Sequence, residues 1–225
     1  MNLKAILFDL DGTLVDTEMF YVDGTYEYMY ELGYRGPIEK ITQIVGTIFP
    51  ETYGIIAELL DNRFSEKEIE KINTKYFYED HLLDYRKYLF TGVKEALTKL
   101  HDQGYRLAIC SSNYRDEIAR CLAENDLSDK IETIITGYEC AKAKPAPDVY
   151  LKALEVLNIQ KDEALIYEDS TAGIMAGKNA GIFTVAREEK RFAVDQSAAD
   201  VIVKDIKGLM KVIEDINNVK WYDCN

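Results

Sequence analysis

KAILFDLDGTLVD, residues 4–16, decides how this chain is read. KAILF (4–8) is short and apolar between polar flanks, the pattern of a strand buried on both faces. Asp9, Asp11 and Asp16 follow at once. Surface charge alone does not call for carboxylates directly after a core strand. Gly12 beside Asp11 permits an unusual backbone turn there. Asp16 is expected to cap a helix starting at Thr17.

Similar apolar runs recur at YRLAIC (105–110), IETII (131–135), ALIY (164–167), IFTVA (182–186) and DVIV (200–203). Helical patterns lie between them: VKEALTKLHDQG (93–104), RDEIARCLAEN (115–125), PDVYLKALEVLN (147–158) and STAGIMAGKNAG (170–181). Alternating strands and helices predict a Rossmann-like, doubly wound parallel sheet with helices on both faces. Residues 17 to about 88 break that rhythm with long amphipathic patterns, such as the stretch 65–89, and no convincing strand. The fold class is therefore α/β with an inserted all-helical cap. The expected division is core at 1–15, cap at 16–89 and core again at 90–225. Ten of the sixteen tyrosines fall in the insert, at 21, 26, 28, 30, 34, 53, 76, 78, 85 and 88. Helical spacing makes most of them packing residues, with one or two left to line a substrate cleft.

The balance of 27 Lys and Arg against 40 Asp and Glu, a net charge of -13, argues against nucleic acid or an anionic membrane as partner. Four cysteines without a CxxC pair, and two histidines apart from them, do not suit a zinc site or a disulfide framework. The apolar run at the N-terminus meets an aspartate too soon for a signal peptide, and no run is long enough to span a bilayer. The expected setting is the cytoplasm. Nothing in the chain demands an oligomer interface, and a monomer is compatible with it.

In open parallel sheets, ligands bind beyond the carboxyl ends of the strands. The first predicted strand delivers Asp9 and Asp11 there. The second delivers Ser111, Ser112 and Asn113, the loop after the third Lys142 and Lys144, and the fourth Glu168 and Asp169. Crowded carboxylates repel unless a cation neutralises them. An all-oxygen donor set suits a hard cation such as Mg²⁺, which commonly shares its site with phosphate oxygens. A serine hydroxyl and a lysine would serve a phosphoryl group, leaving one aspartate as nucleophile and another as acid and base.

DLDGT (9–13), SSN (111–113), KPAPD (144–148) and EDSTAG (168–173) together resemble the four motifs of the haloacid dehalogenase superfamily, in order and spacing. With a helical insert after the first motif, the chain is similar to the β-phosphoglucomutase-like branch of phosphatases and phosphomutases. The four fixed positions of D-x-D-G-T have a chance expectation of about 0.003 in this length at roughly 6% usage each. SSN, KPAPD and EDS taken singly are ordinary turn and helix-start sequences.

The resemblance implies roles. Asp9 is the expected nucleophile and Asp11 the acid and base. Ser111 would bind the phosphoryl group, helped by backbone N–H groups near Ser112 and Asn113. Lys144 would offset negative charge, while Lys142 is expected to be a solvated loop charge. Asp9, the backbone carbonyl of Asp11 and Asp169 would hold Mg²⁺, with Glu168 supporting it through water or as an alternative ligand. Asp11 argues against dehalogenation, because dehalogenases of this superfamily lack an acid there.

A phosphatase acting on a small phosphorylated metabolite is the expected function. The alternative is a sugar phosphomutase. Mutases of this branch usually carry a His shortly after the first motif and an Arg early in the cap, and Tyr21 and Phe49 stand near those positions. A non-catalytic phosphate sensor on the same scaffold would be free to lose Asp9, Asp11, Lys144 or Asp169, and all four are present.

Overall fold

The structure, a computed structural model, describes residues 2–45 and 51–222 of the 225. The chain divides into two compact units, residues 1–15 with 85–225 and residues 16–84. The first opens with β1 (Ala5–Phe8), all four side chains buried. The second unit contains α1 (Thr17–Glu31), a 3₁₀ stretch at Ile38–Ile44, α2 (Glu51–Leu59), α3 (Glu66–Lys75) and one π turn, Tyr76–Asp80. The first unit then resumes with α4 (Tyr85–Tyr88), α5 (Val93–Asp102), β2 (Arg106–Ser111), α6 (Arg115–Glu124) and β3 (Thr133–Thr136). It closes with α7 (Asp148–Leu157), β4 (Ala164–Glu168), α8 (Thr171–Ala180), β5 (Phe183–Arg187), β6 (Val201–Val203) and α9 (Ile206–Tyr222). The last helix is not among the elements expected from the sequence. No helix among the described residues is long and apolar enough to cross a membrane.

The six strands are all parallel, in the order β3-β2-β1-β4-β5-β6. The order reverses at β1, so the β1/β4 junction is the switch point, the place beyond whose strand ends open parallel sheets bind ligands. Backbone hydrogen bonding continues past β1, since Asp9 N–H donates to the Tyr167 carbonyl at 2.9 Å.

Close packing of α8 explains its glycines. A Cβ at Gly173 would lie 1.4 Å from Glu168 Oε1, and one at Gly177 would lie 2.4 Å from Thr184 Oγ1. Ser170 caps the helix by accepting from the Gly173 N–H at 3.0 Å. Gly181, in the left-handed region at φ +70°, ends it.

Two local expectations are corrected. The stretch 65–89 is helical in three pieces: α3 starts at a Ser65–Glu68 capping box and passes into the π turn, and α4 follows separately. The π turn carries Phe77, which is buried against the Cβ-less side of Gly24 in α1; a Cβ there would sit 2.5 Å from the ring. Tyr85 and Tyr88 therefore belong with the core unit, and the return junction falls at 84/85 rather than after 89. Asp16 occupies the position before α1, but its side chain makes no capping bond; its ψ of 58° departs from the extended conformation usual for a capping residue.

In the insert, Tyr28, Tyr34 and Tyr53 are buried in the helical core, with Tyr21, Tyr26 and Tyr76 packed against it. Tyr30 and Tyr78 are half exposed. Phe49 lies outside the described residues. Cys110 and Cys121 are buried free thiols.

A buried ionic cluster follows β5. Glu189, its side chain 2% exposed, accepts from Arg187 Nη2 at 2.8 Å and Arg191 Nη2 at 2.7 Å. Burial alone would raise its pKa; hydrogen bonds from the Arg191 side chain and backbone and from Arg187 prevail and lower it from 4.5 to about 2. A depressed carboxylate contributes stability above its unfolded pKa and loses it as pH falls toward the folded one. Glu189→Gln should therefore destabilise the fold by up to about 3 kcal/mol at neutral pH. That difference should shrink between pH 4.5 and 2. Urea unfolding of both proteins across that range checks it.

Candidate active site

Asp9 follows β1 and is 7% exposed. After it the chain makes a tight loop in which Leu14 N–H donates to the Leu10 carbonyl at 2.8 Å and Gly12 N–H to the Val15 carbonyl at 2.7 Å. Gly12 sits at φ +80°, and a Cβ there would lie 2.3 Å from Asp169 Oδ2. Backbone conformation and space both demand glycine. Gly12→Ala should lose activity and about 1–3 kcal/mol of stability. Thermal melts with an activity assay measure both, and a variant of wild-type stability would contradict the packing described.

Lys144 closes the site from the loop after β3. Its side chain is 7% exposed, and Nζ donates to Asp9 Oδ1 at 2.6 Å, Glu168 Oε1 at 2.9 Å and the Cys110 carbonyl at 2.9 Å. Three acceptors match the three ammonium hydrogens. The ring of buried Tyr150 lies 5.2 Å from the same nitrogen. Burial would lower the Lys144 pKa, but Asp9 and Glu168 hold it well above the usual lysine range. Lys142 is exposed, as expected of a solvated loop charge.

Glu168 and Asp169 stand at the end of β4 and make different contacts. Glu168 Oε1 accepts from Lys144. Its Oε2 accepts from the N–H groups of Asp169 and Ser170, both at 2.7 Å, and from Ser170 Oγ at 3.1 Å. With both oxygens engaged and the residue 1% exposed, Glu168 anchors Lys144 and the α8 start. Asp169 accepts from Thr13 Oγ1 at 2.7 Å through Oδ1.

At the end of β2, Ser111 is buried and its Oγ accepts from the Asn113 N–H at 3.0 Å, which leaves the hydroxyl hydrogen for another acceptor. Ser112 is exposed. Asn113 does more than offer its backbone: Nδ2 donates to Asp11 Oδ2 at 3.1 Å, while Oδ1 accepts from the Tyr114 N–H at 2.8 Å. The structure thus ties Asp9, Asp11, Ser111, Asn113, Lys144, Glu168 and Asp169 into one set of contacts. The side-chain contacts of Asn113 and Thr13 were not read from the sequence, although both residues lie in the quoted motifs.

Among the described residues no three His, Cys, Asp or Glu side chains form a ready metal cluster. Lys144 stands between Asp9 and Glu168, and Asp11 is held by Asn113. The side-chain donors for a cation reduce to Asp9 and Asp169. Burial raises the Asp9 carboxyl to about 8; Lys144 opposes this, while Glu168 and Asp11 add to it. Burial also carries Asp169 well above the ordinary range, with further push from Glu168 and Asp9. Two buried all-oxygen donors that repel each other's charge fit a hard divalent cation, which would favour their ionised forms.

A parallel sheet with an acid-lined switch point defines an α/β enzyme. The chain belongs to the haloacid dehalogenase-like hydrolase family, whose pattern it matches over residues 6–187. A phosphorylated carbohydrates phosphatase of Thermotoga maritima is 29% identical over 184 residues, 80% of this chain and 82% of that one. A pyrophosphatase PpaX of Bacillus thuringiensis strain Al Hakam is 26% identical over 225 residues, covering 96% of this chain and 99% of that one. The solved β-phosphoglucomutase of Clostridium difficile shares the fold, with a TM-score of 0.71 at 21% identity over 98% of this chain and 99% of that one.

Proposed function

We propose that this enzyme is a Mg²⁺-dependent phosphatase that hydrolyses a small phosphorylated metabolite, a sugar phosphate or similar, through an aspartyl phosphate on Asp9. The buried Asp9–Lys144 pair at the end of the central strand carries the reading, because it fixes a carboxylate and offsets charge where a phosphoryl group would arrive. The pyrophosphatase and the carbohydrate-phosphate phosphatase among the relatives support the class of substrate.

The Asp9 carboxylate attacks phosphorus, and the bond from phosphorus to the ester oxygen breaks. Asp11 gives its proton to that oxygen. A water then attacks phosphorus, Asp11 takes the water's proton, and the bond to the Asp9 oxygen breaks to release phosphate. Asn113 holds the Asp11 carboxylate for both transfers, and the Ser111 hydroxyl donates to a phosphoryl oxygen. Asp9, Asp169 and the Asp11 backbone carbonyl would hold Mg²⁺, with Thr13 orienting Asp169. Bound Mg²⁺ supplies positive charge that favours the ionised carboxylates and offsets charge building on the phosphoryl oxygens. The helical insert would bear the residues that select the substrate.

The test is phosphate release from glucose 1-phosphate, hexose 6-phosphates, phosphoglycolate, pyrophosphate and mononucleotides, each with and without Mg²⁺. Metal-dependent release from one or a few is expected. Interconversion of glucose 1- and 6-phosphates without release would replace this reading with the mutase.

A further inference from the structure

We infer that the segment from Arg187, the last residue of β5, to Gln196 is a brace that positions both acidic loops of the site through their main-chain carbonyls. Arg187 Nε donates to the Gly12 carbonyl at 2.5 Å, and its guanidinium lies over the Phe90 ring at 4.3 Å. Gln196 Nε2 donates to the Asp169 carbonyl at 2.6 Å and to the Arg187 carbonyl at 2.7 Å. The Glu189 N–H donates to Gln196 Oε1 at 3.1 Å, and the Glu189 carboxylate accepts from Arg187. Arg187, Glu189 and Gln196 are each 8% exposed.

The residue types are specific to this task. Gln196 spends both amide hydrogens on carbonyls and accepts with its oxygen, so neither Glu nor Met reproduces it. Arg187 reaches a carbonyl and a carboxylate with separate nitrogens of one planar group while stacking on Phe90, which a lysine ammonium cannot match. The carbonyls they hold belong to Gly12, next to Asp11, and to Asp169 itself. A shift of either peptide group moves a carboxylate at the site, and displacements near 1 Å cost about 10²-fold in rate. None of these three residues touches the reacting atoms; they are positioning residues. The inference rests on the phosphatase reading for its kinetic consequence, but the geometry does not.

The test compares Gln196→Met, Gln196→Glu, Arg187→Met and Arg187→Lys with the wild-type chain. The measurements are thermal melts, phosphate release, Mg²⁺ titration by calorimetry and amide exchange of the peptides spanning 9–13 and 168–170. Folded Gln196→Met is expected to lose about 10–100-fold in kcat with KM changed less than about threefold. It should bind Mg²⁺ about tenfold more weakly, in line with losses from mutating groups that support metal ligands. Gln196→Glu should be worse, since a carboxylate would face two carbonyl oxygens. Arg187→Lys should recover part of what Arg187→Met loses. Folded variants with wild-type kcat, metal affinity and exchange would overturn the brace and leave the segment a packing element. Should Gln196→Met not fold, the Arg187 pair decides by the same criteria. If the wild-type chain hydrolyses none of the esters, the phosphatase reading fails alone. Exchange at the two acidic loops then decides the brace: faster exchange in the folded variants supports it, and unchanged exchange overturns it.

Discussion

Asp9→Asn is expected to release no measurable phosphate from any ester the wild-type chain hydrolyses, a loss on the order of 10⁴-fold or more. An amide is a poor nucleophile toward phosphorus and forms no acyl phosphate. The fold should survive. Asp9 is buried, where a charged carboxylate is disfavoured and a neutral amide of nearly the same shape is not. The asparagine oxygen can still accept from Lys144, whose other two acceptors are Glu168 and the Cys110 carbonyl. Phosphate release and a thermal melt on the same preparation check both halves. Wild-type turnover in a clean Asp9→Asn preparation rules out the aspartyl-phosphate route.

Lys144→Met should damage both stability and rate. It removes the cation between two buried carboxylates, and breaking such a cluster on one side costs about 3–5 kcal/mol. Without Lys144, which counters the rise of the Asp9 pKa, the nucleophile would be protonated over more of the neutral range. Turnover should fall by about 10²–10³-fold, as when one preorganised electrostatic partner of a transition state is lost. The matching control is Lys142→Met two residues earlier. Its side chain is solvated, so stability should stay within about 0.5 kcal/mol. Equal effects from the two lysines would contradict the site as built.

The sheet was legible because parallel strands covered on both faces must be short apolar runs, and 5–8, 107–110 and 164–167 are of that kind. The candidate site was legible where its residues sit at strand ends, as Asp9, Ser111 and Asp169 do. The side-chain contacts of Asn113 and Glu168 were not legible, because the direction of a side chain depends on contacts far away in sequence. Asn113 meets Asp11 across 102 residues. Glu168 turns inward because Gly173, one helical turn into α8, leaves room for it. Arg187 meets Gly12 across 175 residues. Its stretch, REEKR (187–191), looks like ordinary surface charge, and its burial shows only in the fold. The division of 65–89 into pieces was not legible because amphipathic spacing does not mark a π turn, which here packs on one glycine in another helix.

The central claim is that phosphate passes through Asp9, and Asp11→Asn offers the most direct view of it. With an ester whose leaving group needs no proton, the first step should run in this variant while the second, which needs a base, stalls. Acid quench after mixing with Mg²⁺, followed by intact-mass and peptide analysis, should find one phosphoryl group per chain on the peptide carrying Asp9. Hydroxylamine should remove it. Release of the leaving group with no phosphorylated chain, or with the phosphoryl group on another residue, would contradict the account.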